Sequence, residues 1–227
     1  MENIKEERTV NKVEMETVAK INDTVILHKL AVYTFLQKFY SGELLHIDRT
    51  IWEQLGSLMN EEVAFFQDEK MEKGFQNICE INHNNLLELE FDFNRLFVGP
   101  NRLEASPYES TYRNTGRALM QTETIAVRRF YEKAGLAVSN KNIDPDDHLS
   151  LELEFVCYLL KESLENDVSY NLYEGFLKDH LFEWVEEHCE LTREKTANTL
   201  IIGISYILQG LMEVERKQLN VQRRSKK

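Results

Sequence analysis

Three features of this 227-residue chain predict an all-α protein. Apolar residues recur every three or four positions, no sustained two-residue alternation appears, and turn formers are scarce. Three prolines and nine glycines cannot supply the tight turns that a β-protein needs at short intervals. With 42% hydrophobic and 29% charged residues, the chain has the composition of a globular protein with a real core. The expected organisation is a charged lead-in over residues 1–15, one helical domain over 16–219 and a basic tail over 220–227. The domain is expected to be a bundle of about eight or more helices with a long central loop.

The first helix places Ile26, Leu30 and Tyr33 on one face, with Val25, Val32, Leu36, Phe39 and Tyr40 around it, and ends at Ser41-Gly42. A second is expected to start near Asp48 and to use Ile51, Trp52, Leu55, Leu58 and Met59. A third, from about Glu61 to Ile81, carries Val63, Phe66, Phe75 and Ile78, with Gly74 as a weak point in its middle. Asn84 or Asn85 can cap a fourth, which runs through Leu86, Leu89, Phe93, Leu96 and Phe97. Gly99-Pro100 stops it, because glycine tolerates a left-handed helix end and proline cannot continue the hydrogen-bond ladder.

The loop that follows is unusually apolar, with Leu103, Pro107, Tyr108 and Tyr112. Two readings stand open for it: a binding surface, or a connection folded onto the core. Arg117 to Ala134 then reads as a helix closed by Gly135. Asp144 is the expected cap of the next, with Pro145 at its first position. Asp146 and Asp147 would then lie in the first turn, Asp147 reaching back in capping-box fashion. Two more helices are expected around Tyr170 to Cys189 and Glu194 to Leu219.

A formal net charge of −12 repels nucleic acid and anionic lipid and attracts basic segments of other molecules. Cys79, Cys157 and Cys189 are far apart and odd in number, which fits a reducing compartment rather than a disulfide framework or zinc site. The charged N-terminus lacks the apolar run of a secretory signal. The most apolar stretch, Leu200 to Leu211, is interrupted by Gly203, Ser205, Gln209 and Gly210 and is too short to span a bilayer. A cytoplasmic protein is expected.

Phosphate-loop, dinucleotide, zinc-protease, nucleophile-elbow and EF-hand patterns are all missing from the chain. An alternative is a di-metal carboxylate bundle, since Glu43…His46 and Glu80…His83 both match Glu-x-x-His. In such bundles the ligands project inward from mid-helix, whereas both pairs here fall at expected helix ends. Asp147 and His148 would point about 100° apart on a helix, so they do not read as an acid–base pair.

Three motifs carry a resemblance. Leu96-Phe97-Val98-Gly99-Pro100 with Pro107-Tyr108-Glu109-Ser110-Thr111-Tyr112 is the first. Asp144-Pro145-Asp146-Asp147-His148 is the second, and Phe176-Leu177, His180-Leu181 and Trp184 form the third. In this order and spacing they resemble the TorD/DmsD family of cytoplasmic chaperones for molybdenum oxidoreductases, with NarJ a more distant branch. Ser106, Asp144 and Asn101 depart from the family pattern, which has Pro, Glu and often an aromatic residue there.

The resemblance implies a non-enzymatic, TorD-like helical protein with no cofactor of its own, either monomeric or a domain-swapped dimer. Its partner would be the twin-arginine signal peptide, and the body, of an apo-molybdoenzyme. The chaperone would delay export and assist molybdopterin insertion. Leu96 and Phe97 would then supply apolar wall, while Gly99, Pro100 and Pro107 shape the loop around Ser110. Tyr108 or Tyr112 would offer a ring to an arginine and Asp147 a charge-assisted bond, with His148 adding pH sensitivity.

Overall fold

A computed structural model describes residues 23–80, 83–100, 103–114, 116, 118–138 and 145–220. The expected lead-in and all but the first residue of the expected tail lie outside them. Helix α1 covers residues 23–40, where Val32, Tyr33, Leu36 and Phe39 are fully buried. Asp48 caps α2 (Arg49–Phe66), its carboxylate accepting from the Ile51 amide. Met59 and Val63, one turn apart and both buried, keep α2 in phase across the break expected near residue 60. The break falls instead at Gln67, with φ 49°, and Asp68. The Asp68 side chain accepts from the Lys70 and Met71 amides and starts α3 (Glu69–Cys79).

Helix α4 (His83–Phe93) begins before the asparagines expected to cap it and widens into a π-turn over Asn94–Val98. Gly99, at φ 105° and ψ −167°, ends that turn and donates its amide to the Asn94 carbonyl. The Ala105 amide returns to the Leu96 carbonyl at 3.1 Å, folding the loop back onto the helix end. A short α5 (Ser110–Arg113) follows, and α6 (Thr122–Lys133) starts later than Arg117. Helix α7 (Leu149–Ser163) also starts later than expected. Its cap is His148, not Asp144, and Asp144 itself lies outside the described residues. Helix α8 (Asp167–Phe176) continues through a π-turn (Leu177–Leu181) into α9 (Phe182–Lys195). No break follows Cys189; the chain turns at Asn198, whose side chain caps α10 (Thr199–Gln218).

Helix α10 is the central element, packed along α3 and α9. Leu200, Ile204, Ile207, Leu208 and Leu211 are fully buried. A methyl group on Gly74 would sit 2.5 Å from the Gly203 carbonyl oxygen, and one on Gly203 would sit 2.6 Å from that of Gly74. Gly74 is therefore not a weak point but the place where α3 and α10 touch backbone to backbone. Among the described residues no helix is long and apolar enough to cross a membrane, and no strand forms. An isolated antiparallel bridge joins Tyr108 to His148.

Candidate functional site

That bridge fastens the first motif to the second. The Leu149 amide donates to the Pro107 carbonyl at 2.8 Å, and the Glu109 amide to the Asp147 carbonyl at 3.1 Å. Asp147 lies ahead of its helix rather than inside it, so it forms no capping box. Its carboxylate is wholly buried and accepts from the Ser110 amide at 2.8 Å and the Thr124 hydroxyl at 2.7 Å. Thr124, Arg128 and Tyr131 share one face of α6 and grip the turn before α7. Arg128 Nε donates to Asp146 Oδ2 at 2.5 Å, and the Tyr131 hydroxyl to the Asp146 carbonyl at 3.0 Å. A buried carboxylate is tolerated only with such partners, so each acid dictates where its donors must lie.

The third motif closes the same cluster from the π-turn after α8 and from α9. His180 Nδ1 meets Glu109 Oε2 at 2.7 Å, while Glu109 Oε1 takes the Arg113 guanidinium. Arg113 also donates to the Asp179 carbonyl at 2.7 Å. Trp184 stacks on Tyr112, ring centroids 5.3 Å apart, and its Nε1 donates to Glu152 Oε2 at 3.3 Å. Glu152 Oε1 meets no donor. Burial, and then the carboxylates of Glu109 and Asp147, push the Glu152 carboxyl well above its ordinary value.

A second network pins the loop to the core. The Tyr112 hydroxyl donates to the Ser106 carbonyl at 2.7 Å. Burial pushes the His188 imidazole down to about 3, leaving it neutral at physiological pH. Nδ1 then donates to the same Ser106 carbonyl at 3.1 Å, and Nε2 accepts from the Tyr40 hydroxyl at 3.0 Å. Phe97 packs against both Tyr40 and His188, at 5.5 and 5.7 Å between centroids.

Of the residues singled out from the sequence, Pro107, Tyr108, Ser110, Tyr112, Asp147 and His148 come together here. Pro107, Ser110 and Asp147 are buried, whereas Tyr108, Tyr112 and His148 are half-buried. Tyr108 and His148 meet edge to face, 4.9 Å between centroids. Leu96 and Phe97 are core residues beneath the loop, and Pro100 is exposed beyond Gly99.

Sequence reasoning gave no role to Glu109, Thr124, Arg128, Glu152, His180 or His188. Glu109 and His180 stand inside the motifs that carried the resemblance. Glu152 could have been found as the one acid among Leu149, Leu153 and Val156 on the buried face of α7.

Nothing among the described side chains supports the di-metal alternative. Glu43 is engaged by Lys38 at 2.7 Å and Ser41 at 3.1 Å, and the His46 side chain is 72% exposed. Glu80 ends α3 and His83 opens α4. Among the described residues no group of three or more His, Cys, Asp or Glu could hold a metal ion.

Comparison with known proteins matches residues 50–190 to the family model described as nitrate reductase delta subunit. A probable Tat proofreading chaperone DmsD of Haemophilus influenzae is 24% identical over 141 residues, 62% of this chain and 64% of that protein. The chaperone protein TorD of Aliivibrio salmonicida is 25% identical over 59% of this chain and 65% of its own length. TorD of Shewanella pealeana is 26% identical over 80% of this chain and 82% of its own. The chain thus spans somewhat less than two thirds of the first two relatives. The motifs that converge on Asp147 and the family model that spans them place the chain in the nitrate reductase delta subunit family, the TorD/DmsD family its motifs resemble.

Proposed function

We propose that this protein is a cytoplasmic maturation chaperone that binds the twin-arginine signal peptide of a molybdenum-containing oxidoreductase. It holds the apoprotein back from export and assists molybdopterin insertion, without catalysing a reaction itself. Family membership and relatives named as TorD and Tat proofreading chaperones support this reading. The observation that carries it is the bonding of all three motifs into one cluster that leaves Tyr108 and His148 half-exposed at its surface.

A division of labour follows from the burial. Asp147, with both oxygens already engaged inside the fold, sets the shape of the loop. The ring of Tyr108 faces the client's guanidiniums, aided by the net charge of −12. Pro100, beyond the glycine stop, lines the path of the client's apolar stretch, and Leu96 and Phe97 support that wall from below.

Titration of the purified protein with the signal peptide of a molybdoenzyme from the same organism tests the proposal. Saturable binding that weakens when both client arginines become glutamine is expected, and Tyr108→Ala should weaken it without loss of helicity. Absence of binding, or binding indifferent to the arginines, removes the proposal.

A further inference from the structure

We propose that Lys73, Tyr206 and Arg193 form a binding site for a phosphate group where α3, α9 and α10 meet, away from the motif cluster. The Gly74–Gly203 contact draws α3 and α10 together and sets Lys73, next to Gly74, against Tyr206, one turn beyond Gly203. Lys73 Nζ donates to the Tyr206 hydroxyl at 2.8 Å and lies 4.3 Å from its ring centroid. The Arg193 guanidinium lies 4.4 Å from the same centroid. Two neutral acceptors fix its orientation, Ser205 Oγ at 3.2 Å and Gln209 Oε1 at 2.7 Å.

Among the described residues neither Lys73 nor Arg193 has a carboxylate within ion-pair distance, although the chain carries 39 Asp and Glu against 27 Lys and Arg. A third cation, Lys70, stands one turn earlier on α3 and is paired with Glu213 at 2.5 Å. The result is a local positive field around a phenol in an acidic protein. The hydrogen bond from Lys73, and then the charges of Lys73, Arg193 and Lys70, hold the Tyr206 hydroxyl below its ordinary value.

Because this hydroxyl accepts from Lys73, its own proton is directed elsewhere and is a strengthened donor. Lys73 keeps two further N–H groups, and Arg193 keeps those not given to Ser205 and Gln209. Lys73 is exposed and Tyr206 half-buried, so a ligand can reach all three. A point charge, a guanidinium fork and a hydroxyl together match several oxygens around one centre, which a phosphate group offers and a lone carboxylate does not.

Equilibrium dialysis of the full chain against inorganic phosphate at constant ionic strength tests the site, with acetate as the parallel arm. One phosphate per chain is expected, with acetate at least several-fold weaker. Lys73→Gln and Arg193→Gln should each weaken phosphate uptake about tenfold, the effect of losing one charge-assisted hydrogen bond. Tyr206→Phe, which keeps the ring, should weaken it less. Phosphate should also move the alkaline titration of one tyrosine upward in the wild type and not in Tyr206→Phe. Non-saturable uptake, equal uptake of acetate, or uptake unchanged in Lys73→Gln with its helicity intact would mean that the cations only pack on the ring, and would overturn the site.

Discussion

The seam between α3 and α10 and the clamp around Asp147 both join segments far apart in the chain, by opposite means. The seam works by omission: Gly74 and Gly203 carry no side chain, and two helix backbones close on each other. The clamp works by burial of charge, with Asp146, Asp147 and Glu109 each taken out of water and each met by donors from another element. Close packing is indifferent to pH and fails when volume is added. A buried polar cluster tolerates little loss of a partner and responds to protons. The family motifs lie on the clamp, so the recognition proposed for this protein would rest on the more conditional of the two constructions.

The contrast can be broken most directly at Glu109. Glu109→Ala strands His180 and the Arg113 guanidinium, and a loss of about 3–5 kcal/mol is expected in denaturant unfolding. Gly74→Ala should cost about 1–3 kcal/mol through overpacking, while leaving the shape of the stability–pH curve unchanged. A changed curve in that variant would mean that seam and clamp are not separable.

The clamp's own curve should fall on both sides. His188 is buried neutral, so its contribution is complete above about 6.5 and is lost as pH falls toward about 3. Glu152 has a raised value, so its contribution is complete below about 4.5 and is lost as pH rises through that raised value. Glu152→Gln keeps the shape but cannot ionise, and should flatten the alkaline arm of thermal unfolding while sparing the acid arm. An unaltered alkaline arm would show that Glu152 is ionised in the native protein. The smallest effect is expected of Tyr112→Phe, which drops the hydroxyl bond to Ser106 and keeps the stacking on Trp184. About 1 kcal/mol of stability should be lost, and a calorimetric change no larger than error would remove this hydroxyl from the clamp.

Residue by residue, the helices were more legible than their ends. The stop at Gly99 and the helix start near Asp48 could be read because each acts on its own neighbours within one turn. The break at Gln67-Asp68 was hidden because Met59 and Val63 carry the apolar period past the expected gap. The start of α7 falls later than expected because three aspartates stand within four residues, and any of them could cap a helix. Which one does so was not a local matter. Asp147 is drawn to the Ser110 amide and the Thr124 hydroxyl, Asp146 to Arg128, and the cap passes to His148.

The candidate site divides in the same way. Its motifs, their order and the acidity around them belong to the sequence, as do the all-α class and the unusual apolar loop. That loop lies folded onto the core and half-exposed, so neither of its two readings excludes the other. The pairing of Glu109 with His180, of Trp184 with Glu152 and of His188 with Ser106 was decided only by the tertiary structure. Apolar periodicity is written into neighbouring residues because a helix face is a local object. A buried charge instead answers to whichever donors the fold brings within about 3 Å, and those come from segments that no spacing along the chain connects.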